Sequence, residues 1–264
     1  VIRLWQIGCG NMGGAMLARW IGAGALDPGD VTVIVRSSAE VPKGVRVETA
    51  LPQGPLPDIL LLAVKPYQID AVAPMLDGRG RLPLLVSILA GVEEAALAER
   101  FDATAIVRAM PNLPVRLGSG VVALSSPSAD AAARERVTEL MAPLGLVEWI
   151  DDVALFDLVT ALAGSGPGFV YRFIDALAGA AHSLGLPAEL ALRLAVATTD
   201  GAARLAADAQ VSPAELADRV ASKGGSTRAG LNVLDADNAL ERLLEATLVA
   251  ARDRNVEMAA TARG

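Results

Sequence analysis

Residues 7–14 read Ile7-Gly8-Cys9-Gly10-Asn11-Met12-Gly13-Gly14, directly after an apolar start at Val1, Ile2 and Leu4. A glycine-rich turn between a first buried strand and a first helix limits the possible folds more than any other segment of the chain. Gly8 and Gly10 match the G-x-G part of a dinucleotide turn, and Gly13 takes its third position. The first glycine lets the strand turn sharply, and the second lets a pyrophosphate approach bare backbone. The third lets the helix pack closely on the sheet. The N–H groups at the start of that helix then face the phosphates. Cys9 has no base beside it and reads as a small spacer.

The pattern after this turn predicts short strands at 1–7, 31–35, 45–47, 59–64, 84–88, 105–107, 120–124 and 146–150. Helical stretches at 12–23, 92–99 and 129–144 separate several of them. The run at 59–64 is apolar throughout, as a strand buried on both faces would be. Strands joined by helices imply a parallel sheet covered on both sides, an α/β arrangement of Rossmann type. After residue 151 the strand signal stops, and helical stretches are expected at 154–163, 167–184, 187–209, 213–220 and 238–262. Pro167, Pro187 and Pro213 each suit a first helical turn. The expected domains are therefore a dinucleotide-binding domain at 1–151 and an all-α domain at 152–264.

Composition narrows the function. The net charge of −7 offers no basic face for nucleic acid. A single cysteine and a single histidine, Cys9 and His182, leave no metal cluster of the usual kind. The 53% hydrophobic content is broken by charge, as at Arg172 and Asp175 within 170–181. On that count no membrane span is expected. The start reads as a strand rather than a secretion signal, so a cytoplasmic location is expected. The abundance of alanine suits close helix packing and subunit contact, and equally an alanine-biased composition.

Several strand ends bear candidate site residues. The second strand ends in Val35-Arg36-Ser37-Ser38, where an NAD site would place an acid on the ribose. Arg36 can pair with a 2′-phosphate and Ser37 can donate to it, which favours NADPH, with NADH as the weaker alternative. Ala63-Val64-Lys65-Pro66 ends another strand on the presumed cofactor edge. Met110 and Pro111 offer an apolar wall, with Asn112 to orient the loop or an amide. Arg108 reads equally as a loop cation or a substrate contact. Gly164-Ser165-Gly166-Pro167-Gly168 joins two helices, the wrong setting for a hydrolase elbow. In Ser222-Lys223-Gly224-Gly225-Ser226-Thr227, N–H groups around Gly224 and Gly225 can form a nest for a carboxylate. Ser226 or Thr227 can cap the following helix, and the Thr227 hydroxyl suits an imine nitrogen.

Taken in order, Ile7–Gly13, Ala63–Pro66, Arg108–Asn112, Ala163–Pro167 and Ser222–Thr227 with Gly230 resemble the Δ1-pyrroline-5-carboxylate reductase family over nearly the whole chain. The resemblance implies NADPH on the first domain, held by Gly8, Gly10, Asn11, Met12, Arg36, Ser37, Ala63, Val64, Lys65, Pro66 and Asn112. It implies a cyclic imine carboxylate on Ser222, Gly224, Gly225, Ser226 and Thr227, with Met110 beside it. Thr227 matches the family's threonine at the ring nitrogen and is the candidate catalytic residue. The implied reaction moves hydride to the C=N bond of 1-pyrroline-5-carboxylate and gives L-proline.

The helical domain would form an intertwined homodimer, with the substrate loop supplied by the partner subunit and a higher ring of dimers also open. Lys223, Leu113 and Ser212 depart from the usual proline, threonine and histidine of the family. Reduction of another cyclic imine acid stays open, as does a noncatalytic NADPH-binding role. A hydroxy-acid dehydrogenase of this layout would want a lysine within 165–172, and there is none.

Overall fold

The computed structural model describes residues 2–262. Val1, read above as part of the first strand, lies outside them, as do residues 263–264 of the expected helical domain. The chain divides into two compact units. One runs up to Ser165 and resumes at Ala251; the other is Gly166–Ala250.

The first unit is built on a sheet. Its elements are β1 (Leu4–Ile7), α1 (Asn11–Gly22), β2 (Val31–Ile34), β3 (Arg46–Glu48), β4 (Ile59–Leu62) and α2 (Ile69–Val72). They continue with β5 (Leu82–Ser87), α3 (Glu94–Ala98), β6 (Ala103–Pro111), β7 (Gly120–Ser125), α4 (Ala131–Met141), β8 (Gly145–Trp149) and α5 (Phe156–Val159). The strand order is β3-β2-β1-β4-β5-β6-β7-β8. Its first six strands follow the doubly wound order, with parallel neighbours throughout.

Alternate residues of each strand serve opposite faces, because side chains in a strand repeat every second position. Ile59 and Leu61 pack in the cluster that holds Met16, Leu17 and Trp20 of α1. Leu60 and Leu62 pack in the cluster on the other face. Each such leucine contributes about 1.5–3 kcal/mol by leaving water. The Trp20 indole N–H donates to the Leu140 carbonyl at 2.7 Å, which ties α1 to α4. The edge strand β3 is short and exposed, and carries Arg46 and Glu48, which discourage pairing with another chain.

The parallel reading fails at one place. β6 and β7 are antiparallel, and β7 pairs parallel with β8. The connection from Pro111 to Gly120 holds only a 3-10 turn, Leu113–Leu117. A parallel crossover needs about a dozen residues, so the chain turns back instead. β6 also runs further than 105–107, so Arg108 and Met110 lie in a strand rather than a loop.

The second unit is helical: α6 (Gly166–Ser183), α7 (Ala188–Asp208), α8 (Pro213–Val220), α9 (Ser226–Asp235) and the first part of α10 (Ala239–Ala262). Pro213 opens α8, whose cap is the Ser212 hydroxyl accepting from Glu215 N–H at 3.2 Å. Pro187 is instead the N-cap residue of α7. Asp237 and Asn238, with φ of 52° and 55°, separate α9 from α10. Left-handed backbone of this kind is easiest for Asn, Asp and Gly.

The buried residues of this unit's apolar cluster are small: Ala178, Ala191 and Ala195. Phe173, Leu192 and Leu243 stay 51%, 51% and 65% exposed. The helical run Val153–Ser183 is also long and apolar enough, by length and composition, to cross a bilayer. Arg172 and Asp175 interrupt that run and pair with each other at 3.0 Å, so no stretch in it is apolar throughout at membrane length.

Candidate active site

The glycine turn sits at the carboxyl end of β1. Gly8 has φ +92°, and a Cβ there would lie 2.5 Å from the Ala63 carbonyl oxygen and 2.8 Å from Val64 Cγ1. Any side chain would therefore be both strained and blocked. Gly10 is the N-cap of α1 and makes no side-chain cap bond, and a Cβ there would meet nothing within 4 Å. Among the described residues, the N–H groups of Cys9 and Gly10 find no acceptor. No acid stands in the first turn of α1. Open space, free donors and a helix N-terminus together suit a pyrophosphate. Cys9 is half-buried, and burial pushes its thiol pKa up, away from nucleophilic use.

Beside the turn lies a cleft of about 500 Å³, lined by Gly10, Asn11, Met12, Val64, Lys65, Pro66, Ile88, Ala90 and Leu113. It brings together four separate stretches of the sheet unit: 10–12, 64–66, Ile88 with Ala90, and Leu113. Ala63 lies beneath the turn, against Gly8 and Gly13, rather than on the cleft wall. Leu113 reaches the cleft because the β6–β7 return packs its 3-10 turn on α1. Sequence reading noted Leu113 only as a departure from the family pattern. Arg36 and Ser37 follow β2, are exposed, and have no side-chain partner among the described residues. Their donors are available to a ligand.

Asn112 is committed to the protein. Its Nδ2 donates to the Ala163 carbonyl at 2.9 Å, and its Oδ1 accepts from Val121 N–H at 2.9 Å. It ties β7 to the π-helical turn Thr160–Gly164 and orients the loop rather than offering its amide to the cleft. Met110 approaches the same turn: a Cβ on Gly164 would lie 3.8 Å from Met110 Cγ. Arg108 is buried in β6, with its guanidinium carbon 4.4 Å from the Phe156 ring centroid. Burial lowers its pKa from the ordinary value, and Asp157, Glu93 and Glu94 oppose the shift. It is a structural cation. Phe156, its partner, is the residue sequence reading missed.

The second loop is in the helical unit. Gly224 has φ +74°, and Gly225 N–H donates to the Ser222 carbonyl at 2.9 Å. The left-handed φ of Gly224 is what this turn needs glycine for, while a Cβ on Gly225 would meet the rotatable Ser222 Oγ at 2.6 Å. Gly225 is the N-cap of α9 and makes no side-chain cap bond. Neither Ser226 nor Thr227 caps that helix. They are its first two residues, and their N–H groups have no partner within it. The free donors are thus those of Ser226 and Thr227 rather than Gly225, whose N–H closes the turn. The Thr227 hydroxyl is exposed and unbonded among the described residues.

Known proteins share both halves. Residues 154–258 match the family described as pyrroline-5-carboxylate reductase dimerisation, and residues 5–91 match one described as NADP oxidoreductase, coenzyme F420-dependent. The chain is 35% identical over 260 residues to the pyrroline-5-carboxylate reductase of Synechocystis sp., covering 95% of this chain and 96% of that one. This chain belongs to the pyrroline-5-carboxylate reductase family. A family member from Pseudomonas aeruginosa is 39% identical over 208 residues, covering 76% of this chain and 75% of its own. The solved structure of the Coxiella burnetii reductase superposes with a TM-score of 0.88 at 31% identity, over 97% of this chain and 98% of that one. The Plasmodium falciparum pyrroline carboxylate reductase, solved with NADP bound, gives 0.82 at 26% identity over 98% of each.

Proposed function

We propose that this chain reduces 1-pyrroline-5-carboxylate to L-proline, with NADPH on the glycine turn and the substrate carboxylate on the Ser222–Thr227 loop. One observation carries the assignment of roles. Two glycine turns occur here, each leading into a helix whose N-cap glycine makes no side-chain cap bond, so backbone donors at both helix starts are open to an anion.

NADPH, when bound, supplies the hydride for the imine carbon. Gly10, Asn11 and Met12 hold its pyrophosphate, and Val64, Lys65 and Pro66 line its reactive side. Arg36 and Ser37 hold the 2′-phosphate, which sets NADPH above NADH. Gly224, Ser226 and Thr227 hold the carboxylate through backbone donors, and the turn closed by Gly225 and Ser222 shapes that cradle. The Thr227 hydroxyl bonds the ring nitrogen, so two contacts fix the ring and leave its carbon facing the cofactor. The imine is most electrophilic when protonated. No histidine or buried acid stands at either turn, so the proton arrives with the substrate or from water while Thr227 holds the nitrogen.

The exposed Phe173, Leu192 and Leu243 are covered by a second copy in a homodimer, and dimers can assemble further. A cytoplasmic location accompanies this reading.

NADPH oxidation against a panel of five- and six-membered cyclic imine acids tests the function. Thr227→Val tests the role of the hydroxyl. With folding and NADPH binding intact, kcat/KM is expected to fall roughly tenfold to several-hundredfold, about 1.4–3.5 kcal/mol. Wild-type kcat/KM in that variant would remove Thr227 from the site.

A further inference from the structure

Gln6 is the polar residue of β1 and has no exposed surface. It shares a face with Leu4, which packs in the α1-side cluster. Its Nε2 donates to the Gly8 carbonyl oxygen at 2.9 Å, while its Oε1 is buried with no partner. Burying an amide with one end unmatched opposes folding. A leucine or methionine would fill the same space without that penalty, so packing does not account for a glutamine here.

The bond to Gly8 has a geometric consequence. Gly8 is already held through its N–H, which donates to the Ile34 carbonyl at 2.9 Å. A trans peptide is planar and points its C=O and N–H in opposite directions. Drawing the Gly8 oxygen inward to Gln6 therefore turns the Cys9 N–H outward. That N–H is one of the donors left without an acceptor among the described residues. The same amide is wedged against the third glycine: a Cβ on Gly13 would lie 3.0 Å from Gln6 Nε2 and 2.9 Å from Ala63 Cβ. Gln6 thus touches both the strand side and the helix side of the turn from beneath.

We propose that Gln6 is a positioning residue for the cofactor: it fixes the Gly8–Cys9 peptide plane so that the Cys9 N–H is presented to the pyrophosphate. This rests on the reading of the glycine turn as the NADPH site. The preset plane spares the turn from being ordered at the moment of binding.

The test uses the full chain, with NADPH affinity read by fluorescence, kcat and KM by NADPH oxidation, and stability by thermal unfolding. Gln6→Met and Gln6→Leu keep the volume and remove the donor. Both are expected to weaken NADPH binding about fivefold to twentyfold. Their Tm is expected to stay within about 5 °C of wild type, because removing the unmatched Oε1 offsets the loss of the Nε2 bond to the Gly8 carbonyl. At saturating NADPH, kcat should stay within about twofold. NADPH affinity within about twofold of wild type in either folded variant would overturn the proposal. So would a fall in Tm of more than roughly 10 °C in both, which would make Gln6 a folding residue. Gly10→Glu, at a position with open space, separates this from the underlying reading. If that variant still binds NADPH, the turn is not the cofactor site. If it loses binding while Gln6→Met does not, only the role of Gln6 falls.

Discussion

The two units bury their apolar residues differently. The sheet unit encloses large side chains on both faces: Met16, Leu17 and Trp20 under α1, and Leu60, Leu62 and Leu85 on the other side. The helical unit encloses Ala178, Ala191 and Ala195 and leaves its leucines and Phe173 open. The first unit completes its core within one chain. The second leaves large apolar side chains open, the surface that the proposed homodimer would cover.

Three substitutions test this contrast, in order of expected effect. Trp20→Ala empties the centre of the sheet core and breaks the bond to Leu140. It should cost about 3–5 kcal/mol in chemical denaturation. A smaller loss would mean that the sheet unit does not rest on its own core. Arg36→Asp breaks no side-chain hydrogen bond or ion pair, because Arg36 makes none among the described residues. It should weaken NADPH by about 1.5–3 kcal/mol while NADH changes far less, read from KM with each cofactor. An unchanged preference would remove the 2′-phosphate from Arg36. Leu243→Asp puts a charge on the open face of α10. It should weaken self-association tenfold to a hundredfold, about 1.4–2.7 kcal/mol, measured by light scattering over a dilution series. Its NADPH affinity should not change, because the cofactor turn is in the other unit. A fully dimeric Leu243→Asp protein would show that the open face has another use.

The glycine turn was legible because its meaning is local: strand, glycines and helix occupy one short stretch. The Val64–Pro66 segment was legible as a strand end, and the sheet order brought it to the same cleft. What escaped the sequence depended on contacts far along the chain. The direction of β7 followed from a short connection that composition does not mark. Asn112 read as a loop polar residue, yet both ends of its amide are taken by Val121 and Ala163. Arg108 read equally as a loop cation or a substrate contact because β6 was drawn too short, and its partner Phe156 is distant in sequence. Gly225 was counted as a free donor, whereas its N–H closes the turn on Ser222. The Gln6 signal was visible, a lone amide in an apolar strand, but its meaning needed the Gly8 carbonyl beside it.

The place where the chain divides has a consequence for recombining relatives. Arg108 is stacked on Phe156, Asn112 is bonded to Ala163, and Asn255 Nδ2 donates to the Asp157 carbonyl at 3.1 Å. A chimaera spliced at residue 151 would take the first two pairs from different parents. One spliced only at Ser165 would split the third. Exchanging Gly166–Ala250 as a cassette, with one splice point at the start of α6 and the other inside α10, keeps all three pairs from one parent. The helical unit is in this sense an insert in the sheet unit's chain, and the natural donor fragment for swapping assembly surfaces has two seams rather than one.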